Sequence, residues 1–328
     1  MGNELEVSQS KFVSVDFPGF SVILCSFGAS IYSIQVDGHE MLSTFKSKEE
    51  WLKDSGYHGK TVGRVAGRIP YAAIEVGDKV YQLEANERTT CLHGGFRGLT
   101  YRNFESTVYQ YINHYEVNFK YHSPHMECGF PGDVDFEIIY RIFRNKTIEI
   151  FHKAKSKTLT PINLTQHLYF NMGEKDLYNI YMELQASKRY LLDDDLIKQK
   201  LVDVKGTSYD FRKGKLVMED AFKADVKGPN KNGFDDIWYL GTTNKNYYCT
   251  VLESPRYRAE FSTDYDAVVI YMNGYPSHKM LTSGITEEQY SAITMEFTNG
   301  DIQYVSAGKP YNKYTKIQFK EIIDGKHD

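Results

Sequence analysis

Polar side chains run through one extended, half-apolar segment of the chain, Thr160-Pro-Ile-Asn-Leu-Thr-Gln-His-Leu-Tyr-Phe-Asn-Met172. They include Asn163, Thr165, Gln166, His167, Tyr169 and Asn171. A strand that only packs would carry Val and Ile at such places, and a buried polar group costs free energy unless it is hydrogen-bonded. The segment therefore predicts a hydroxyl-rich ligand. His167, whose imidazole titrates near neutral pH, would be placed to transfer a proton.

Carboxylates occur in two further apolar settings. Glu296 lies in Ala292-Ile-Thr-Met-Glu-Phe-Thr298, a pattern typical of a strand, and it faces either the interior or the solvent. Asp235 lies in Asn232-Gly-Phe-Asp-Asp-Ile-Trp238. Asx residues near Gly usually form turns, whereas an ionised Asp can also accept hydrogen bonds from two sugar hydroxyls. The sequence leaves both alternatives open for each residue.

Two glycine-rich stretches carry the remaining candidates. Val62-Gly-Arg-Val-Ala-Gly-Arg-Ile69 has two arginines four residues apart, and its glycines permit close backbone approach. Because a planar guanidinium can bind two neighbouring hydroxyls, we favour a functional role for Arg68 over an ordinary surface ion pair. His93, in Leu92-His-Gly-Gly95, is either a turn residue or a hydrogen-bonding partner of a substrate. No second His or carboxylate stands at ligand spacing from it, so no metal is predicted.

The elements that must position these residues are predominantly strands, because apolar and polar residues alternate along most of the chain. Strands are predicted at residues 20–27, 30–36, 115–121, 134–143, 147–151, 178–184, 247–252, 267–271 and 314–319. Short helical turns are predicted at residues 47–54 and 286–291, the second capped by Thr286. No linker, repeat or strand–helix alternation divides the chain. We therefore predict an all-β protein, a single large antiparallel β-sandwich over residues 1–328.

Composition argues against several classes of partner. The 39 Lys+Arg and 43 Asp+Glu give a formal net charge of -4, which provides no electrostatic basis for binding nucleic acid or an anionic membrane. Neither a phosphate-binding glycine motif nor a zinc knuckle nor a disulfide framework is present, so no cofactor is predicted. No signal-peptide pattern is visible and no apolar window is long enough to cross a bilayer, which predicts a cytoplasmic protein.

Seven segments, in this order along the chain, resemble the aldose 1-epimerase (galactose mutarotase) family. They are Gly63-Arg-Val-Ala-Gly-Arg-Ile69, Leu92-His-Gly-Gly95, Gly129-Phe-Pro-Gly132, Thr160 through Met172, Gly206-Thr-Ser-Tyr-Asp-Phe-Arg212, Gly233-Phe-Asp235 and Thr294-Met-Glu296. Residues 311–319 are similar to the closing strand of that family. None of the segments is decisive alone, but seven in order are specific.

The resemblance implies a β-supersandwich fold and interconversion of the α and β anomers of a free aldose such as galactose or glucose. Carried over position by position, it implies a general base at Glu296 and a general acid at His167. It also implies that Arg68, His93 and Asp235 hold the sugar hydroxyls and the ring oxygen. Departures from the family pattern occur at Gly67, Asp236 and Thr298. The implied partner is a monosaccharide, an aldohexose, for a chain that is a monomer or a homodimer.

Two other functions would use the same residues. A sugar-binding or sensing protein on this fold would bind a sugar without turning it over. A glycosidase or lyase would use Asp235 and Glu296 as its carboxylate pair. For the epimerase, ordinary pKa values of about 4.3 for Glu and about 6.5 for His make an ionised Glu296 with a protonated His167 an accessible pair around neutrality.

Overall fold

Strands dominate the computed structural model, which describes residues 7–223, 233–241 and 247–322. The first strands in chain order are β1 (Phe12–Phe17), β2 (Phe20–Cys25), β3 (Ser30–Val36), β4 (His39–Glu40), β5 (Thr61–Val62), β6 (Arg68–Ile69), β7 (Ala73–Val76), β8 (Lys79–Gln82), β9 (Cys91–Leu92), β10 (Glu105–Gln110), β11 (His114–Ser123), β12 (Val134–Phe143), β13 (Thr147–Lys155) and β14 (Thr160–Ile162). They are followed by β15 (Thr165–Gln166), β16 (Tyr169–Phe170), β17 (Tyr181–Leu184), β18 (Lys188–Leu192), β19 (Lys198–Asp203), β20 (Lys215–Leu216), β21 (Asp235–Tyr239), β22 (Thr250–Glu253), β23 (Tyr257–Thr263), β24 (Ala267–Tyr271), β25 (Ile293–Thr294), β26 (Glu296–Thr298), β27 (Gln303–Val305) and β28 (Tyr311–Glu321).

Helical structure is confined to short pieces in the described residues. The two α-helices are α1 (Lys48–Leu52) and α2 (Val217–Asp220), and 3-10 turns occur at Pro70–Ala72, Leu99–Tyr101 and Glu127–Gly129. Ser47 caps α1 by accepting a hydrogen bond from the Glu50 amide, as the predicted turn at residues 47–54 requires. None of the described helices is long and apolar enough to cross a bilayer.

The named strand pairs are antiparallel and form three larger sheets. The widest sheet has nine strands in the order β10-β11-β12-β13-β28-β23-β22-β17-β20. A five-stranded sheet has the order β19-β18-β21-β24-β26, and a four-stranded sheet runs β1-β2-β3-β4. The remaining pairs are β5 with β15, β6 with β9, β7 with β8, β14 with β27 and β16 with β25. The predicted all-β antiparallel architecture is confirmed.

The apolar core joins the three larger sheets. In β12 the sequence VDFEIIYRIF buries Val134, Phe136 and Ile138 and turns the intervening acidic residues outward, as period-two alternation dictates. The same buried cluster includes Val22 of the four-stranded sheet and Trp238 of the five-stranded sheet. Burying one such side chain is worth about 1.5–3 kcal/mol relative to leaving it exposed. The core thereby fixes the strands that carry the polar residues.

Most predicted elements are present, with shifted ends. The hairpin turning at residues 144–146 joins β12 to β13, and β24 has the predicted bounds. β17 and β22 each begin three residues later than predicted. The helical turn predicted at residues 286–291 is wrong, because Thr286 forms a bridge with Met280 and the segment is irregular. There the Glu287 side chain is buried in a polar network, and tertiary contacts override the local capping pattern.

Candidate active site

Antiparallel strand pairing places His167 beside Glu296. In the pair of β16 with β25, Tyr169 stands opposite Thr294 and Phe170 opposite Ile293. His167 lies two residues before Tyr169 and Glu296 two residues after Thr294, so this strand pair brings the two residues close together. The two side chains are each 5% exposed, with His167 Nε2 3.2 Å from Glu296 Oε1. Glu296 therefore faces the interior, the alternative that the sequence left open.

Burial drives both members of this pair towards their neutral forms. Burial, followed by the nearby Asp235 carboxylate, raises the pKa of Glu296 to about 8. Burial, followed by the charge of His58, lowers the pKa of His167 to about 3. Between these values the pair holds one proton, and burial favours its position on Glu296. The ionised Glu296 and protonated His167 that ordinary pKa values make accessible are therefore the less favoured state of the pair. The contact at 3.2 Å fits either arrangement, since each puts one proton between the two atoms.

Arg68 reaches the same cavity from β6, which pairs with β9 through Arg68 and Leu92. Its guanidinium is held by two bonds to Glu87, with Nε–Oε2 at 2.7 Å and Nη2–Oε1 at 3.0 Å. Burial opposes its charge, but the carboxylates of Glu87 and Asp235 outweigh it and raise the pKa of Arg68. The arginine thus makes a fork-like, two-bond contact of the kind expected, here with the carboxylate of Glu87.

His93 is a neutral hydrogen-bond donor. Its Nδ1 accepts a hydrogen bond from the Gly67 amide at 3.2 Å, and burial keeps the pKa of His93 well below its ordinary value. The single proton of the ring therefore resides on Nε2. The backbone turns sharply after His93, where Gly94 has φ +87° and an added Cβ would lie 2.0 Å from the Gly63 carbonyl oxygen. Only glycine permits this approach.

Asp235 lines the cavity at the start of β21, and Asp236 does not. β24 lies between β21 and β26, with Asp235 opposite Tyr271 and Val269 opposite Glu296. Burial raises the pKa of Asp235, while Arg68 partly offsets that shift. Asp236 lies on the other face of the strand and pairs with Arg189 at 3.2 Å. Three residues depart from the family pattern. Gly67 and Thr298 line the cavity, whereas Asp236 does not.

The polar segment divides into residues satisfied by the protein and residues that face the cavity. Gln166 donates to the Gly59 carbonyl at 2.7 Å, and Asn171 donates to the Leu42 carbonyl at 3.2 Å. Neither needs the ligand that the sequence led us to expect for them. Thr165 Oγ1 and His167 Nδ1, in contrast, are buried without a hydrogen-bond partner among the described residues. Both residues line the cavity, so a polar ligand there would meet unsatisfied groups.

The five candidate residues line one cavity of ≈ 850 Å³. They are Arg68, His93, His167, Asp235 and Glu296. Other residues that the sequence did not mark also line the cavity, among them Tyr57, His58 and Tyr275. The Tyr57 ring lies 4.7 Å from that of His93 and 5.6 Å from that of His167. No spacing pattern marks these residues, because tertiary packing alone brings them together.

Donor atoms of His93, His167 and Glu296 lie within 4.8 Å of one another. The sequence shows no ligand spacing around His93, but the fold brings these three residues together from distant parts of the chain. A His₂Glu set is typical of catalytic zinc. However, His93 carries its proton on Nε2 and uses Nδ1 to accept from Gly67, so it lacks a free lone pair. The ring fits a hydroxyl-bearing ligand better than a cation.

The amino-acid sequence is similar to those of a known enzyme family. Residues 11–318 match the family model described as aldose 1-epimerase. The chain belongs to the aldose 1-epimerase family. A galactose mutarotase of Rattus norvegicus is 31% identical over 240 residues, covering 70% of this chain and 67% of the relative. A maltose epimerase of Levilactobacillus brevis is 27% identical over 270 residues, covering 80% and 79%. The chain is thus an isomerase with mutarotase activity, as the resemblance implied.

Solved structures agree on the fold of this aldose 1-epimerase. A galactose 1-epimerase from Lactobacillus acidophilus superposes with a TM-score of 0.84 at 24% identity, covering 95% of this chain and 99% of the other. An aldose epimerase homologue from C. elegans gives 0.85 at 23% identity, covering 96% and 100%. At these identities the likeness concerns the fold, a large antiparallel sandwich.

Proposed function

We propose that this aldose 1-epimerase interconverts the anomers of a free aldohexose such as galactose or glucose, using Glu296 and His167 as the acid–base pair. Arg68, His93 and Asp235 bind the sugar hydroxyls and the ring oxygen. The observation that carries the proposal is the direct contact of Glu296 with His167 in the cavity that all five candidate residues line. Acid and base then act on one ligand, where each positioned group contributes about 10²–10⁴-fold.

Ring opening transfers two protons. Ionised Glu296 takes the proton of the C1 hydroxyl while protonated His167 gives its proton to the ring oxygen. The C1–O bond to the ring breaks, which yields the open-chain aldehyde, protonated Glu296 and neutral His167. Rotation about C1–C2 and the reverse transfers close the ring on the other face. Because burial favours protonated Glu296 and neutral His167, the protein stabilises the proton arrangement of the open-chain stage. The 3.2 Å contact offers a route for the proton to return to His167 before the next opening.

The pH dependence follows from this single shared proton. Since the pKa of Glu296 is raised to about 8, the pair keeps its proton below that pH and loses it above. We expect kcat/KM, which reports the free enzyme, to fall as the pH rises through about 8. Polarimetry at each pH, with the enzyme-free rate subtracted, measures this. A fall centred instead near 6.5, the ordinary pKa of His, would show that an unperturbed His167 holds the proton.

Polarimetry of freshly dissolved α-D-galactose and α-D-glucose tests the function itself. The proposal predicts an accelerated approach to the equilibrium rotation. The alternative, a non-catalytic sugar-binding protein, predicts saturable binding in calorimetry with no acceleration. Reducing disaccharides are a second candidate class, because one relative is named maltose epimerase and the cavity of ≈ 850 Å³ lies in the upper part of the range for small-molecule sites. Freshly dissolved α- or β-maltose therefore belongs in the same panel.

The cellular setting and assembly remain predictions from the sequence. We expect a cytoplasmic protein that is a monomer or a homodimer, with one domain over residues 1–328. Cell fractionation, light scattering and limited proteolysis measure these three properties.

A further inference from the structure

A buried histidine lies between two carboxylates at the wall of the cavity. His58, only 4% exposed, has Nδ1 2.9 Å from Asp54 Oδ2 and Nε2 2.9 Å from Glu287 Oε1. A neutral imidazole donates from one nitrogen only, so bonds to two carboxylates require the protonated ring. Burial opposes the charge, but Asp54 and then Glu287 outweigh it and raise the pKa of His58 to about 9. His58 is therefore a fixed cation near neutrality.

The loop that contains His58 is hydrogen-bonded to the backbone of His167, the proposed general acid. The Gly59 amide donates to the His167 carbonyl at 2.8 Å, and the His167 amide donates to the Lys60 carbonyl at 3.0 Å. Asp54 closes the loop by accepting from the His58 amide at 3.0 Å as well as from its ring. The position of His167 thus depends on a loop whose shape Asp54 and His58 determine.

The same loop contacts the cavity wall through aromatic rings. The His58 ring stacks on Tyr169 with centroids 3.9 Å apart and an interplanar angle of 16°. The Tyr169 hydroxyl also bonds this loop, because it donates to the Gly56 carbonyl at 2.9 Å. Between these contacts, Tyr57 adopts φ +63°, a left-handed conformation that costs energy for a bulky residue and persists only where surrounding contacts enforce it.

On the other side of His58, Glu287 holds a second wall of the cavity. Its carboxylate accepts from the Ser277 amide at 2.7 Å, from the Ser277 hydroxyl at 2.5 Å and from Asn273 Nδ2 at 3.0 Å. Ser277 and its neighbours Tyr275 and Pro276 line the cavity. Glu287 therefore connects this rim segment directly to the imidazole of His58.

We propose that His58 is a positioning residue for the reaction, a charged bridge from Asp54 to Glu287 that holds the His167 backbone and the 275–277 rim in one geometry around the sugar. This inference rests on the proposed function, because the reacting groups it positions are those assigned there. Near-attack geometry is sensitive to small displacements, so loss of the bridge reduces turnover although His58 itself touches no reacting atom. Other titratable groups packed nearby are Lys60, whose ammonium donates to the Asp54 carbonyl at 3.0 Å, and His167.

A substitution series at His58 separates bridging from packing. His58→Lys keeps a cation with several donors, His58→Gln keeps a single donor group, and His58→Phe keeps only the ring that stacks on Tyr169. If His58 is a bridge, kcat for mutarotation decreases in the order wild type, Lys, Gln, Phe, with Phe at least about 10-fold below wild type. If His58 only packs, Phe is the variant nearest to wild type, which overturns the proposal. Circular dichroism confirms that each variant is folded at the assay temperature.

Glu287→Gln provides the test if the His58 variants do not fold. It neutralises one carboxylate while preserving shape. Hydrogen–deuterium exchange is expected to increase in peptides covering residues 160–172 and 273–287, with kcat/KM reduced several-fold. Glu149→Gln is the matched control, since Glu149 accepts a hydrogen bond from the Tyr314 hydroxyl at 2.9 Å and does not line the cavity, and it should leave both peptides unchanged. Unchanged exchange in Glu287→Gln overturns the bridge. Because exchange is independent of turnover, failure of the bridge is distinguishable from absence of catalysis in the wild type.

Discussion

Glu296→Gln is expected to lower kcat for anomer exchange by about 10²–10⁴-fold, the usual contribution of one positioned proton-transfer group. Glutamine preserves the shape of the side chain and its hydrogen bond from Thr294, which lies 3.2 Å from Glu296 Oε1. It cannot accept or hold the proton that the carboxyl shares with His167. Sugar affinity should change little, because Arg68, His93 and Asp235 remain in place. Polarimetry gives kcat, and calorimetry gives the affinity.

His167→Asn should produce a loss of similar size, since it removes the other end of the same proton pair. Glu149→Gln is the matched control: Glu149 bonds the Tyr314 hydroxyl at 2.9 Å and does not line the cavity. Its kcat is expected to equal that of the wild type. Turnover near wild type in Glu296→Gln and His167→Asn would refute the assignment of both residues.

The second large effect is expected at Arg64, and it concerns stability. The buried Arg64 guanidinium donates to the carbonyls of Ser123, Pro124, Pro131 and Gly132. Arg64→Met would fill part of the volume but remove all of these donors. Outside the strand ladders of the described residues, only the Pro124 and Pro131 carbonyls have a second donor, the Glu127 amide at 3.1 Å and the Thr160 hydroxyl at 2.6 Å. We expect the free energy of unfolding to fall by about 3–5 kcal/mol, the cost typical of breaking a buried, fully bonded charge site. Urea denaturation followed by fluorescence measures it.

Arg68→Met, four residues along the chain, is the matched comparison. The ion pair of Arg68 with Glu87 is partly exposed, with side-chain exposures of 20% and 35%, so its loss should cost about 1 kcal/mol or less. Sugar binding should suffer instead, by about 10–100-fold in kcat/KM, because a charge-assisted hydrogen bond is removed. Equal destabilisation by the two substitutions, or equal effects on kcat/KM, would contradict the division of roles between the arginines.

This division shows what the sequence can and cannot predict. The glycine-rich motif 63–69 indicated that an arginine there is functional, and the preference for Arg68 agrees with its place in the cavity. The structural role of Arg64 depends on carbonyls from residues 123–132, which no local pattern connects to it. Likewise, residue types suggested His167 and Glu296 separately, but only the pairing of the neighbouring strands β16 and β25 shows that the two side chains meet.

Electrostatics and irregular segments were predicted least well. Ordinary pKa values do not describe the pair, because burial raises the pKa of Glu296 and lowers the pKa of His167. His58 lies in a Tyr-His-Gly stretch without any pattern of its own, and its carboxylate partners become visible only after folding. The incorrect helix at residues 286–291 has the same origin, since Glu287 bonds to that histidine instead of helping to start a helix. Long-range polar contacts decided each of these cases.

Polarimetry of the Glu296→Gln, His167→Asn and doubly substituted proteins with fresh α-D-galactose tests most directly whether these two residues act as one proton-sharing pair. Residues that act as a unit are strongly non-additive, so the double variant should be about as slow as the slower single variant. If the two losses instead multiply, Glu296 and His167 act independently, and the shared proton is contradicted.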